Sequence, residues 1–484
     1  MRVALVSTGH GPSLALRNLR TYCLAHEDVA RSAEFTLFDR DLRRDGPAAR
    51  HARAISVRRW AFASGGDELL ARLCALEPDV VGFSCYLWST ELSVLVARQL
   101  KRLRPDVRIV LGGPDVGPRA AELLGAFPEI DCVVQGDGER PFLEIIRRHI
   151  AGAPSYAGIP GVCHRTASGV RSEPATGLTD LALLQKVYEP MTSAQVERWG
   201  WPHLLYETMR GCPYECSYCM YGKVPPNRKD PAVVVDELHA LLARGLPVEI
   251  IDPTFTTYAP RAKQILRALG ERSYDGGMMV QAYPDSLDDE MIELLERARV
   301  EGVGLGFQTM SAEGLDAVAR PANLQRFERA VSLLKRSRVH FYVDVIYGLP
   351  ATTRADFTAT MDYLHRLGVD RIVVYRLLGL PGSPMMNDIE RYGLVFSPTP
   401  PYELLSSRTF SIEDVVYCER YCEAYERMSE LGPELVRRFA NVTGGLTAFL
   451  ERVMESGALD RGDKAELQVV LAKLMLGPVT TRAS

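Results

Sequence analysis

The sequence lacks any apolar run that approaches the roughly 20 residues needed to cross a membrane as a helix. It also lacks a signal-peptide pattern, because residues 1–7 lead directly into a strand-like pattern. Its formal net charge is only −4 over 484 residues, which gives no general attraction to nucleic acid or to anionic membrane surfaces. We therefore expect a cytoplasmic protein with neither a nucleic-acid partner nor a membrane partner.

A disulfide framework is also missing. Three of the ten cysteines stand together, and the other seven are scattered along a long chain, which is typical of a protein with reduced thiols. Cys418 and Cys422 stand four residues apart on a predicted helix and therefore share one face. A second metal site there is the alternative, but two core side chains are favoured, because free cysteine is commonly buried.

The three clustered cysteines, Cys212, Cys216 and Cys219, have the spacing C-x-x-x-C-x-x-C. Three thiolates can hold three irons of a [4Fe–4S] cluster and leave the fourth iron open to a ligand. A structural zinc site would need four ligands, usually as two separated pairs, and no further cysteine or histidine stands near enough in sequence to complete one. The spacing therefore indicates an open, reactive cluster.

Residues 1–150 alternate short apolar strand patterns with amphipathic helical patterns. The strand patterns fall at residues 3–6, 35–38, 80–83, 109–111 and 132–134. Near-continuous apolar strands separated by helices predict an α/β domain with a doubly wound, Rossmann-like parallel sheet. Ligands of such sheets bind beyond the carboxyl ends of the strands, and small or polar residues stand there in this chain.

Residues 201–385 alternate in the same way. Their strand patterns fall at residues 204–207, 248–251, 278–281, 302–307, 341–346 and 372–375. Six strands with helices between them predict a partial (β/α)6 barrel of the TIM type, and the cysteines directly follow its first strand. We predict that residues 151–200 are a connector with a hairpin over 159–174, and that 386–484 form a mostly helical domain with helices near 412–431, 434–440 and 463–474.

The cysteine spacing, together with Gly211 and the aromatic Tyr218 before the last cysteine, resembles the motif of the radical S-adenosylmethionine (SAM) enzymes. In that family the open iron binds the amino and carboxylate groups of SAM, and reductive cleavage of SAM gives a 5′-deoxyadenosyl radical. The resemblance implies that the three cysteines hold a [4Fe–4S] cluster and that Tyr218 lies beside the adenine of SAM.

Three further strand ends resemble SAM contacts of the same family. Asp252 follows the second strand, where a Gly-Gly-Glu run often holds the SAM amino group, and Asp252 or backbone carbonyls would serve here. Gln308 ends the fourth strand and is a candidate contact of the SAM ribose or carboxylate. Tyr347 and Gly348 precede a Leu-Pro pair in an element expected near adenine. Without the resemblance, Asp252 could be a helix N-cap, and Gln308 could satisfy backbone groups at the end of its strand. Gly348 could be an ordinary turn residue.

The loops of residues 1–150, placed before the cysteines, are similar in order to the cobalamin (B12)-binding domain that precedes many radical SAM domains. By this resemblance the cobalamin contacts are Ser7, Thr8, Gly9, His10, Ser84, Cys85, Tyr86, Leu87, Gly112, Gly113, Pro114, Gln135, Gly136, Gly138 and Glu139. The Asp-x-His-x-x-Gly sequence of many such domains is absent, so we expect cobalamin in a base-off form without a histidine ligand. His10 is the alternative lower axial ligand.

Together these features resemble the cobalamin-dependent radical SAM enzymes. The resemblance implies an enzyme that transfers a methyl group from methylcobalamin to an unactivated carbon of a natural product or metabolite. The alternatives are a rearrangement, ring contraction or cyclisation without methyl transfer, a non-radical methylation of an sp2 carbon, and a sensor without turnover. Expected partners are a small-molecule or peptide substrate and an electron donor such as flavodoxin or ferredoxin.

Overall fold

The computed structural model describes residues 1–10, 12–40, 66–188, 203–221, 224, 226–457 and 459. Its first sheet contains β1 (Arg2–His10), β2 (Glu34–Arg40), β3 (Val80–Ser84), β4 (Arg108–Gly112), β5 (Cys132–Val134), β6 (Val162–Thr166) and β7 (Gly169–Ser172). The order across the sheet is β2-β1-β3-β4-β5-β6-β7. Strands β1 to β5 pair in parallel, whereas β6 and β7 pair antiparallel to their neighbours. The predicted parallel sheet is therefore confirmed.

Six helices accompany the first sheet in the part of the chain that the structure describes. They are α1 (Leu14–Leu24), α2 (Glu27–Ala30), α3 (Gly66–Leu76), α4 (Thr90–Leu103), α5 (Ala120–Ala126) and α6 (Glu139–Ile150). Every residue of β3 is buried, as expected for a parallel strand with both faces covered. The short α2 was not predicted, because four residues are too few to show a helical period.

The predicted hairpin forms, but it starts later than the sequence pattern suggested. Its strands β6 and β7 are joined across residues 167–168, and β6 pairs with β5. The hairpin therefore extends the first sheet, although it lies within the segment predicted to be a connector. The boundaries of the domains stay predictions.

The second sheet has six parallel strands in the described residues. They are β8 (Leu204–Tyr206), β11 (Val248–Ile250), β12 (Met278–Ala282), β13 (Val300–Gln308), β14 (His340–Tyr347) and β15 (Ile372–Arg376). Their order is β15-β14-β13-β12-β11-β8, so strands that are consecutive in the parallel series are neighbours in space. The predicted partial (β/α)6 arrangement is confirmed.

Short elements and helices surround the second sheet. The small strands are β9 (Met209–Arg210), β10 (Asn227–Arg228), β16 (Val395–Phe396) and β17 (Leu404–Ser406). The helices are α7 (Pro231–Leu242), α8 (Ala259–Gly270), α9 (Asp289–Arg297), α10 (Ala312–Ala317), α11 (Leu324–Lys335), α12 (Arg354–Arg366) and α13 (Ile389–Tyr392). Pro231 at the first turn of α7 follows an Asp230 side chain that caps the helix, which explains why the helix starts there.

The C-terminal part is helical as far as it is described, with α14 (Ile412–Ser429), α15 (Pro433–Thr443) and α16 (Leu446–Glu455). The third helix was not predicted, and the helix predicted over 463–474 lies outside the described residues. The side chains of Ser411 and Asp414 form a capping box at the start of α14. Its Tyr425 hydroxyl accepts a hydrogen bond of 3.1 Å from the Ile372 amide at the start of β15, so α14 is anchored to the second sheet.

One continuous apolar core joins the two sheets and the C-terminal helices. It includes Val3 of β1, Tyr206 of β8 and Leu450 of α16. Cys418 and Cys422 are buried in the same core. Burial raises the pKa of both thiols, which fits the interpretation that they are core side chains. No helix in the described residues is both long and apolar enough to cross a membrane.

Candidate cofactor site

The three clustered cysteines lie in the loop that follows β8 and β9, at the carboxyl end of the second sheet. Gly211 has a φ of +82°, a left-handed conformation that turns the chain into Cys212 and favours glycine. Backbone hydrogen bonds hold the loop at Cys212, Ser217 and Cys219, including a 2.9 Å bond from the Ser217 amide to the Val318 carbonyl. The loop is therefore ordered by the barrel itself.

Among the described residues, no three Cys, His, Asp or Glu side chains converge on a point where one metal ion could sit. This fits a [4Fe–4S] cluster, because each thiolate of such a cluster binds a different iron. Cys216 is buried, and Cys212 and Cys219 are half-buried.

Arg320 is a neighbour of the triad that the sequence did not reveal. Its Nη1 lies 3.6 Å from Cys216 Sγ and 3.4 Å from the Tyr218 hydroxyl, and its Nη2 donates a 2.7 Å hydrogen bond to the Gly306 carbonyl. A Cβ on Gly306 would stand 2.9 Å from the Arg320 guanidinium, so glycine leaves the room that this side chain needs. Arg320 therefore links the triad to Tyr218 and to the strand that carries Gly306.

Gln308 and Asp344 place two oxygen atoms without partners on neighbouring strands of the barrel. In the described part of the chain, neither Gln308 Oε1 nor Asp344 Oδ1 has a hydrogen-bond partner, although both are buried. Burial raises the pKa of Asp344 to about 7, against a smaller opposite effect of Arg320. Gln308 also has a left-handed φ of +66°. Buried acceptors without donors are rare, and they fit a ligand that brings hydroxyl or amino groups.

Asp252 is occupied by the protein. Its carboxylate accepts hydrogen bonds from the Thr208 amide at 2.7 Å, the Thr208 hydroxyl at 2.5 Å and the Met209 amide at 3.1 Å. Burial raises the pKa of Asp252 to about 6, and these hydrogen bonds oppose the shift. Asp252 therefore anchors the segment that leads to the cysteines, and its contact with SAM stays a prediction.

Tyr347 faces away from the barrel interior. Its ring packs against Phe357 and Phe410, with centroid distances of 5.6 and 6.2 Å. Gly348 has a φ of +80°, and a Cβ there would stand 2.4 Å from a Leu404 methyl carbon. At these two positions only the backbone can reach a ligand in the barrel.

At the first sheet, the loops after β1, β3 and β4 come together. A Cβ on Gly9 would stand 2.9 Å from the Trp88 indole nitrogen, and a Cβ on Gly113 would stand 2.3 Å from the Cys85 carbonyl oxygen. Tyr86 stacks on Trp88 with a centroid distance of 4.9 Å and an interplanar angle of 9°, and Trp88 remains 50% exposed. An exposed aromatic surface beside two glycines suits a large flat ligand.

The other residues predicted to bind cobalamin have different surroundings. Thr8 is buried and its hydroxyl bonds Ser89 and Ser93, while Ser7, Ser84 and Cys85 are also buried. The Gln135 amide group contacts Gly117 and Ser172, and Glu139 is paired with Arg210. Leu87, Gly112, Pro114, Gly136 and Gly138 are at least partly exposed at the loops. The side chain of His10 and all of Gly11 lie outside the described residues.

Comparison with known families matches two models to this chain. The B12 binding domain matches residues 48–146, and the Radical SAM superfamily matches residues 206–364, which contain the cysteine triad, Gln308 and Asp344. This chain contains a B12-binding domain followed by a Radical SAM domain. The resemblance seen in the sequence is thereby confirmed, and the cofactors of these domains are cobalamin, SAM and a [4Fe–4S] cluster.

Curated relatives include the cobalamin-dependent radical SAM methyltransferase TokK of Streptomyces tokunonensis, 27% identical over 68% of this chain and 51% of that protein. The 2-(S-pantetheinyl)-carbapenam-3-carboxylate methyltransferase of Streptantibioticus cattleyicolor is 27% identical over 70% of this chain and 53% of that protein. The B12-binding radical SAM chain thus spans about half the length of the curated relatives it matches.

Among solved structures, the radical SAM methyltransferase TsrM from Kitasatospora setae, with cobalamin and a [4Fe–4S] cluster bound, matches with a TM-score of 0.65 and 22% identity. The match covers 82% of this chain and 78% of TsrM. At this identity the comparison shows a common fold of the B12-binding radical SAM type.

Proposed function

We propose that the protein is an enzyme that transfers a methyl group to a carbon atom of a small molecule, using cobalamin, SAM and a [4Fe–4S] cluster. The observation that carries this proposal is the contact between the two cofactor-binding regions. Glu139, which follows β5, pairs with Arg210, which stands two residues before Cys212, at a distance of 2.6 Å between Oε1 and Nη2. Cofactors bound at these loops would share one cavity.

On the barrel, Cys212, Cys216 and Cys219 would hold the cluster, whose open iron would bind SAM and supply one-electron cleavage of its sulfonium. The Oε1 of Gln308 and the Oδ1 of Asp344 would accept hydrogen bonds from hydroxyl groups of SAM, which would supply the donors that these oxygens lack. Arg320 would hold Tyr218 and Cys216 in place from the side.

On the first sheet, Gly9 and Gly113 would let the corrin approach the backbone, and Trp88 would lie against its face. Cobalamin, when bound, would supply the methyl group. Glu139 and Gln135 are committed to protein contacts, so we assign them to the support of the loops and keep their direct contact with cobalamin as a prediction.

The proposed reaction balances with two molecules of SAM and two electrons. The substrate carbon loses a hydrogen atom, which appears in 5′-deoxyadenosine, and the same carbon gains a methyl group. One SAM leaves as methionine and 5′-deoxyadenosine, and the other leaves as S-adenosylhomocysteine. The two electrons come from an external reductant of the flavodoxin or ferredoxin type.

A small-molecule substrate is supported by the names of the relatives. TokK and the carbapenam methyltransferase are methyltransferases, and a second TsrM structure contains tryptophan as substrate. A radical reaction suits an unactivated carbon, because no ordinary side chain can deprotonate an unactivated sp3 C–H bond. The identity of the substrate stays open.

The two products of SAM test this function without knowledge of the substrate. The reconstituted holoprotein is incubated anaerobically with SAM, hydroxocobalamin and a chemical reductant, and both nucleoside products are quantified. We expect S-adenosylhomocysteine and slow formation of 5′-deoxyadenosine. Formation of 5′-deoxyadenosine alone would favour a rearrangement, S-adenosylhomocysteine alone would favour non-radical methylation of an sp2 carbon, and neither product would favour a sensor.

Trp88 provides a spectroscopic test of the cobalamin site. Because cobalamin absorbs where tryptophan emits, we expect hydroxocobalamin to quench the fluorescence of Trp88, whose indole lies over Gly9. The variant Trp88→Phe should bind cobalamin but lose most of this quenching, while Tyr86→Phe should keep it. Equal quenching in Trp88→Phe and the wild type would argue against cobalamin at this surface.

A further inference from the structure

Arg210 lies two residues before Cys212 and binds carboxylates from both parts of the molecule. Its Nη1 and Nη2 donate to the two carboxylate oxygens of Glu139, at 3.0 and 2.6 Å. Its Nε and Nη2 donate to the two oxygens of Glu207, at 3.0 and 2.9 Å. Glu139 begins α6 after the loop of β5, whereas Glu207 directly follows β8 and Arg210 ends β9.

Arg210, Glu139 and Glu207 form a joint between the two regions. Two more residues of the first-sheet region contact this joint. Asn18 of α1 donates a 2.7 Å hydrogen bond from Nδ2 to Glu207 Oε1, and Asp137 approaches Arg210 to 3.2 Å. The side chains of Arg210, Glu139 and Glu207 are only 16%, 6% and 11% exposed. The joint is therefore a buried network with members from both cofactor-binding regions.

The charges of the network depend on Arg210. The Arg210 guanidinium is positively charged and lies between the carboxylates of Glu139 and Glu207. A bidentate guanidinium fixes direction as well as distance, which a lysine ammonium cannot do. The apolar core already joins the two regions, so cohesion alone does not require a buried ionic joint at this place.

We propose that Arg210 is a positioning residue that sets the separation between the cluster cysteines and the cobalamin-facing loops. This inference rests on the proposed function, because that function requires the cluster and the cobalamin to lie at a set separation. Only Gly211 stands between Arg210 and Cys212, and consecutive Cα atoms are about 3.8 Å apart, so little chain is available to absorb a shift. A misplacement of about 1 Å between reacting groups can reduce a rate by about a hundredfold.

The test compares Arg210→Lys with Arg147→Lys. Arg147 lies near the end of α6, the helix that Glu139 begins, and like Arg210 it makes a bidentate contact. Its partner is Asp28, at 2.7 and 3.2 Å, and that pair is exposed. Pulsed electron paramagnetic resonance measures the distance between reduced cluster and cob(II)alamin. Hydrogen–deuterium exchange of the cofactor-free proteins measures opening at residues 136–139 and 207–212.

We expect Arg210→Lys to keep its cluster iron, to broaden or shift the distance distribution, and to exchange faster at both segments of the joint. S-adenosylhomocysteine formation, which needs both regions, should fall by about tenfold or more, while 5′-deoxyadenosine formation, which needs the barrel alone, should change much less. Arg147→Lys should match the wild type in every measurement. Glu139→Gln should reproduce the Arg210→Lys pattern, because it weakens the same contact from the other side.

An unchanged distance distribution and unchanged local exchange in Arg210→Lys would overturn the proposal. An equal loss of both nucleoside products would overturn it as well, since Arg210 would then act on the cluster region alone. If the wild-type protein forms no S-adenosylhomocysteine, the proposed methyl transfer fails, but the exchange and distance measurements still decide the role of Arg210.

Discussion

Replacing Cys212, Cys216 and Cys219 together by alanine should abolish iron binding, the absorbance near ~400 nm and the cleavage of SAM. Thiolates are the ligands that such a cluster needs, and the triple variant retains no cysteine in this loop. The loop should keep its conformation, since it is held by backbone hydrogen bonds such as that from Ser217 to Val318. Iron analysis and absorbance after anaerobic reconstitution measure the effect.

Cys74→Ala is the matched control, because Cys74 is a half-buried thiol on α3, in the first-sheet region. It should bind as much iron as the wild type. Four irons per chain in the triple variant would contradict the assignment of the triad. A loss of iron in Cys74→Ala would show that cysteine replacement disturbs the protein in general.

Asp344→Asn should stabilise the cofactor-free protein at pH 8 and weaken its binding of SAM. The folded-state pKa of Asp344 is raised from 3.8 to about 7, so the folded protein holds this proton more tightly than the unfolded chain does. The stabilising contribution of the protonated carboxyl is fully present below pH 3.8 and is lost as the pH rises to about 7. Asparagine cannot ionise and avoids this loss.

The difference in the free energy of unfolding between Asp344→Asn and the wild type should widen from pH 5 to pH 7. It should reach at most about 4 kcal/mol at pH 8. The affinity for SAM should fall by about tenfold or more, because a charge-assisted hydrogen bond is lost. Thermal unfolding and SAM titration at pH 5 and at pH 8 measure the two effects. Asp289→Asn, at a carboxylate that is 78% exposed on α9, is the control. Unchanged SAM affinity would contradict the role of Asp344, and a pH-independent difference in stability would contradict its buried ionisation.

Much of the fold could be predicted because its signals are local in sequence. Residues 80–83 are a short run of apolar residues and glycine, and β3 forms there with every residue buried. The six barrel strands were found in the same way, since amphipathic helical patterns separate one strand from the next. The elements that were missed are short or lack a period, such as β9 and β10, which form only because they pair with each other.

Some residues of the candidate site could likewise be predicted from local sequence, and others could not. Gly211 and the three cysteines could be recognised because they stand within nine residues, and the left-handed turn at Gly211 needs a residue type that the sequence displays. Asp344 lies within the strand predicted at residues 341–346. Only its place in the folded barrel, opposite Gly306, shows that its Oδ1 lacks a hydrogen-bond donor.

By itself the sequence determined the class of both sheets and the order of the two cofactor-binding regions, and it predicted the cysteine ligands of the cluster, because periodicity and spacing are properties of neighbouring residues. Only the tertiary structure decided that Arg320 contacts Cys216 across 104 residues and that Arg210 pairs with Glu139 across 71. These contacts depend on the order of the strands in the two sheets and on which charged side chains lie close together after folding. Burial and distance, unlike periodicity, exist only once the chain has folded.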